Sequence, residues 1–164
     1  MTAPTSEARP EPATPNLGAG APSGLTRLVL IGLPAAGKSS VGTALAARLS
    51  WQHRDTDHWI EQQLGQPVGA IFADQGEDSF RDLETEALRQ ALTLSSAVIS
   101  VGGGAVLRPE NRQLLASQTV IWLDVSVTTA TRRAGLTALR PLLLGDVRQR
   151  LTELETERRP LYDS

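Results

Sequence analysis

Eight consecutive residues, Gly32-Leu33-Pro34-Ala35-Ala36-Gly37-Lys38-Ser39, follow the spacing G-x-x-x-x-G-K-[ST]. Glycines at these two places permit a tight turn that aims successive backbone N–H groups inward. A helix starting at Lys38 adds its own unpaired N–H groups and the positive end of its dipole, which together favour an anion. Lys38 can then reach the terminal phosphates of a nucleotide, and the Ser39 hydroxyl can ligate Mg²⁺. Of the 16 basic residues, 15 are Arg and the single Lys is Lys38, which suggests a position where Arg would not serve. The motif points to a nucleoside-triphosphate site.

Three further groups carry chemistry. Asp55-Thr56-Asp57 follows a weak second strand, Trp51 to Asp55. If the segment is extended, residues two apart face the same way, and both carboxylates point to the strand's carboxyl end, where open parallel sheets bind ligands. One acid could hold Mg²⁺ through water while the other accepts a proton from a substrate hydroxyl; helix capping is the plainer use of such a pair. Gly102-Gly103-Gly104 suits a backbone that approaches a ligand closely, or a flexible turn. Arg140-Pro141-Leu142-Leu143 lies in a loop-like stretch, Ala134 to Gly145, where a mobile lid could bring one Arg to a transferring phosphoryl group. His53 shares a strand face with Trp51 and Asp55, and packing beside the tryptophan is favoured over catalysis.

These groups need a scaffold, and the apolar pattern supplies one. Leu28–Ile31, Ala97–Val101 and Thr119–Asp124 read as buried parallel strands, and Trp51–Asp55 as a weaker one. Helices are predicted over Lys38–Leu49, with Val41, Leu45 and Leu49 on one face, and over Asp78–Leu92, with Phe80, Leu83, Ala87, Leu88 and Ala91 on one face. The last is predicted over Asp146–Arg159, with Val147, Leu151 and Leu154. This alternation predicts an α/β fold with a parallel sheet covered on both faces.

Composition narrows the partners. The 164 residues carry 16 basic and 18 acidic side chains, without the basic excess of a nucleic-acid binder. There is no cysteine, which excludes disulfides and thiolate chemistry and suits the cytoplasm. The longest strongly apolar stretch, Leu28 to Leu33, is far below the roughly 20 residues of a membrane span. Residues 1–24 hold five of the ten prolines and almost no large apolar side chains, and are expected to form a disordered tail ahead of a single domain over 25–164.

The motif set as a whole closely resembles shikimate kinase. It comprises Gly32 to Ser39, Asp55-Thr56-Asp57, Ile60-Glu61, Ile71-Phe72, Gly76-Glu77, Phe80-Arg81 with Glu84, Gly102-Gly103-Gly104, Asn111-Arg112, Arg140 to Leu143 and Arg158-Arg159-Pro160-Leu161-Tyr162. The resemblance runs from Leu25 to the last residues. It implies a three-layer P-loop kinase fold, here without the family's final strand and helix, and hence weaker nucleotide affinity than a full-length relative. It also implies transfer of the γ-phosphate of MgATP to the 3-hydroxyl of shikimate, in aromatic amino acid biosynthesis, by a cytoplasmic monomer.

By the same resemblance the nucleotide is held by Gly32, Ala35, Ala36, Gly37, Lys38, Ser39 and Ser40, with Arg133 near the adenine and Arg140 closing over the phosphates. Ser39 and Asp55 hold the metal, the latter through water. Asp57 takes the substrate's proton. Arg81, oriented by Glu84, and Arg158 grip the substrate carboxylate beside Gly102, Gly103 and Gly104. Lys38, Asp57 and Arg140 make up the catalytic set. Ala35 and Ala36 depart from the family's usual Gly and Ser, at little cost unless the backbone there needs a positive φ. The other readings are a related kinase, such as a gluconate kinase, and a nucleotide-binding module without catalysis.

Overall fold

The computed structural model describes residues 24–136 and 147–164. Four strands, β1 (Arg27–Ile31), β2 (Gln52–Asp55), β3 (Ala97–Ser100) and β4 (Val120–Trp122), form one parallel sheet in the order β2-β3-β1-β4. In the register, Leu28 pairs with Val98 and Val29 with Ile99, while Val29 also faces Val120 on the other side. Because the strands are parallel, their carboxyl ends and the loops that follow all lie along one edge.

Alternation along β1 and β3 sends side chains to two faces. Val29, Ile31, Ala97, Ile99 and Val101 enter the larger core, covered by α3 (Val68–Ala91), α4 (Pro109–Leu115), α5 (Val127–Leu136) and α6 (Val147–Tyr162) through Leu88, Leu115, Ala130, Leu151 and Leu154. Leu30 and Val98 face α1 (Lys38–Leu49) through Ala46, with Leu45, Leu49 and Trp51 beside them. The result is helix, sheet, helix. The connections leave the neighbours β1 and β3 on opposite faces, which opens a crevice between their carboxyl ends.

Several expectations are corrected. The buried face of α1 is Gly42 and Ala46, whereas Val41 is 41% exposed. The sheet lies too close for a stripe of large residues. β4 borders the sheet among the described residues and leaves Ile121 exposed, so it is not the buried strand its apolar run predicts. The helix expected from Asp78 begins at Val68 and is interrupted at Gly76, where φ is 80° and ψ is 171°. Its first part packs Ile71 and Phe72 with Ile60 and Phe80, in a second core under α2 (Thr56–Leu64). Ala134 to Leu136 belong to α5 and not to a loop. α6 runs on past Arg159 to Tyr162 with Pro160 inside it. Arg140 and most of the expected lid lie outside the described residues, as does the expected tail except Gly24.

Candidate functional site

Gly32, with φ 141°, and Gly37, with φ 97°, bracket the phosphate-type loop between β1 and α1. Lys38 Nζ donates to the carbonyls of Gly32 and Leu33, both at 2.9 Å, so the ammonium lies over the loop it belongs to. Arg133, on α5, donates from Nη1 to the Ala36 carbonyl at 2.7 Å, which places it against this loop. Ser40 is exposed on the third residue of α1 and lines the same cleft.

Ala35 has φ 60°, the left-handed region that side chains disfavour. The positive φ that makes alanine costly here is therefore present, and Ala36 does not share it. Left-handed backbone costs an alanine about 1–2 kcal/mol, of which glycine's freer unfolded chain returns about 0.4–1. Ala35→Gly is expected to stabilise the chain by about 0.5–1 kcal/mol, read as a higher urea midpoint at unchanged slope. An unchanged or lower midpoint would contradict the strain at this position.

The two aspartates converge differently from the extended arrangement expected of them. Asp55 ends β2 and caps α2, its Oδ1 accepting the His58 N–H at 3.2 Å, while Asp57 already stands in the first helical turn. Asp55 Oδ2 accepts from the Ser39 hydroxyl at 2.5 Å. Between the acids, Thr56 is buried and its Oγ1 accepts the Gly102 N–H at 3.2 Å, which fixes the start of α2 to the end of β3. His53 is partly buried, and burial holds its pKa below the ordinary value against the opposing pull of Asp55.

The triple glycine is the hub. A Cβ on Gly102 would stand 2.6 Å from Asp57 Oδ1 and closer still to Glu84 Oε1. One on Gly104 would fall 2.6 Å from Arg81 Cζ, inside the guanidinium group. Only glycine lets the acid, the glutamate and the arginine close on this loop.

Arg81 donates from Nη1 to Glu84 Oε2 at 2.8 Å and from Nη2 to Glu77 Oε1 at 2.9 Å, under the Phe72 and Phe80 rings at 5.7 Å. Glu84 is 1% exposed, and burial raises its pKa against the pull of Arg81 and Arg158. Arg158 is buried on α6, near Tyr162 and within the field of Glu84. Its neighbour Arg159 turns outward, paired with Asp124 at 3.0 and 3.3 Å and lying over Trp122. The Nε donors of both Arg81 and Arg158 are shielded from solvent and make no hydrogen bond among the described residues, and that of Arg158 is ion-paired with Glu157 Oε2 at 3.6 Å.

Sequence reasoning gave no role to Thr56, Glu77 or Tyr162. Glu77 stands four residues before Arg81, a spacing that signals a helical ion pair. Tyr162 closes the motif Arg158 to Tyr162 without a role in it, and its hydroxyl donates to the Gly103 carbonyl at 2.6 Å. Burial pushes its phenol up to about 12. A phenol whose folded pKa lies above its unfolded value of about 10 contributes stability that is complete below pH 10 and is lost as pH rises toward 12. The stability gap between the wild type and Tyr162→Phe should therefore shrink by about 2 kcal/mol between pH 9.5 and 11.5. A constant gap in urea titrations would contradict the burial of this hydroxyl.

The loop, Asp55, Asp57, Gly103, Trp122 and Arg133 line one cleft of about 940 Å³ at the crevice between β1 and β3. The shikimate kinase family model matches residues 34–164. The chain belongs to the shikimate kinase family. A shikimate kinase of Thermobifida fusca (strain YX) is 47% identical over 136 residues, which are 83% of this chain and 79% of that relative. Among solved structures, a shikimate kinase from Acinetobacter baumannii in complex with shikimate superimposes with a TM-score of 0.81 at 34% identity, covering 85% of this chain and 79% of the other. A gluconokinase from Sinorhizobium meliloti 1021 reaches a TM-score of 0.50 at 18% identity, covering 78% of this chain and 73% of the other, a likeness of fold alone.

Proposed function

We propose that the chain transfers the γ-phosphoryl group of ATP to the 3-hydroxyl of shikimate, as its family does, with the following division of labour. The loop Gly32 to Ser40 holds the phosphates, and Lys38 shifts from its carbonyl partners to neutralise charge on the β- and γ-phosphates. Asp57 accepts the hydroxyl proton as the substrate oxygen attacks phosphorus and ADP leaves. Arg81 and Arg158 hold the substrate carboxylate beside Gly102 to Gly104. Arg133 borders the adenine, and Arg140, outside the described residues, adds positive charge to the phosphates.

The observation that carries this reading is the meeting at the triple glycine. The Asp57 carboxylate, which lines the phosphate-type cleft, lies against Gly102, and the buried Arg81 guanidinium lies against Gly104 of the same loop.

Ser39 and Asp55 suit Mg²⁺. Their oxygens meet at 2.5 Å, and both residues line the cleft. Two oxygen ligands beside a phosphate loop fit Mg²⁺, which keeps waters and phosphate oxygens in its shell. When bound, the metal would supply charge neutralisation to the terminal phosphates. We place the enzyme in the cytoplasm as a monomer, in line with the resemblance. No helix of the described residues is long and apolar enough to cross a membrane.

An ADP-release assay with MgATP and shikimate, gluconate or no acceptor tests the reading. ADP is expected with shikimate alone. Equal release with gluconate would shift the substrate class, and none with any acceptor would leave a binding module.

A further inference from the structure

Behind the phosphate loop, on the α1 face of the sheet, lies a polar cluster that the transfer itself does not use. His53 on β2 is its centre. Its Nε2 lies 2.9 Å from Ser100 Oγ on β3, and its Nδ1 lies 3.2 Å from Thr43 Oγ1 on α1. Each hydroxyl also reaches a backbone carbonyl of the first turn of α1: Ser100 donates to Lys38 at 3.0 Å, and Thr43 to Ser39 at 2.9 Å.

Each hydroxyl has a single hydrogen, with a backbone carbonyl and a ring nitrogen both within reach. A neutral imidazole donates to one of the two hydroxyls and accepts from the other, so His53 ties Ser100 and Thr43, and through them the Lys38 and Ser39 carbonyls, to β2. Gly42 gives the cluster its room: a Cβ there would stand 2.7 Å from Ser100 Oγ and nearer still to His53 Nε2. Glycine is a poor helix former, and its place in the second turn of α1 is explained by what it lets in.

We infer that His53 is a positioning residue for the nucleotide site, orienting the Ser100 hydroxyl onto the Lys38 carbonyl and so setting where the first turn of α1 stands against the sheet. The inference rests on the reading of Lys38 and Ser39 as ATP contacts. It assigns the histidine no contact with substrate. Its reach is selective, because the linked carbonyls belong to Lys38 and Ser39, whereas Arg81, Glu84 and Arg158 are carried by α3 and α6.

The test compares dissociation constants for MgATP and for shikimate, with thermal midpoints, in the full chain. His53→Leu removes both ring contacts and is expected to weaken ATP about five- to tenfold, the size of one net hydrogen bond, with shikimate changed less than about twofold. Ser100→Ala should do the same. The double variant should be no weaker than the weaker single one, because both break one link. His53→Gln can still donate an N–H to Ser100 and should return ATP binding to within about threefold of the wild type.

A leucine variant that melts lower yet binds ATP as the wild type does would make the histidine a packing residue only. Equal losses for ATP and shikimate would overturn the inference in the same way. If the leucine variant does not fold, Ser100→Ala and the exposed Thr43→Val decide on the same criterion. A wild-type chain that bound no ATP would overturn the proposed function as well, which separates the two failures.

Discussion

Asp57→Asn is expected to lower turnover with shikimate by about 10²–10⁴-fold, the usual contribution of a positioned general base. ATP binding should stay within about twofold, since this step asks nothing of the group that only nucleotide could supply. The amide preserves size and keeps an oxygen beside Gly102, so the first turn of α2, fixed by Thr56 and by the Asp55 cap, has no reason to move. What is lost is the site that takes the hydroxyl proton. Single-turnover and binding measurements on the same protein check both halves. A variant that retained most of its activity would move the proton acceptor elsewhere.

Arg81→Ala carries the second large effect. The guanidinium lies against Gly104 and is held by Glu84 and Glu77, so its position is set before any substrate arrives. Truncating one partner of a buried, hydrogen-bonded charge pair costs about 2–5 kcal/mol. The KM for shikimate should therefore rise by roughly two to three orders of magnitude, with the KM for ATP changed only severalfold. The variant should also lose stability, because Glu84 is left buried without its closest cation. Burial already favours the protonated form of Glu84, and loss of Arg81 strengthens that tendency. A parallel rise in both KM values, following the drop in melting temperature, would contradict a carboxylate clamp.

Much of this architecture could be read from the residues alone, for physical reasons. The bounds of α1 follow from the motif that starts it and from the apolar spacing within it, and strands buried on both faces announce themselves as short apolar runs. What escaped depends on neighbours. Gly42 and Ala46, not the larger residues, face the sheet because His53 and Ser100 fill the space in front of α1. The first part of α3 has mixed polarity that hides a helix, and its start becomes clear only when Ile71 and Phe72 meet Phe80 across the break at Gly76. β4 looks buried by composition, yet burial there depends on what lies alongside.

The site divides in the same way. Spacing identified the loop and the acids, whereas the Arg81–Glu84 pair followed from the family resemblance. Spacing could not indicate that Asp57 is helical, because the turn from β2 into α2 is set by the Asp55 cap. Nor could it link Tyr162 to Gly103, 59 residues away in the chain.

The central claim is that one cleft brings the terminal phosphate of ATP to a ring hydroxyl of shikimate. Phosphorus NMR of the wild-type chain with MgATP and shikimate tests it without an intermediary. A new phosphate-monoester resonance coupled to the proton on the ring's 3-carbon is expected, growing in step with ADP. Inorganic phosphate as the sole new signal, or an ester on a different hydroxyl, would contradict it.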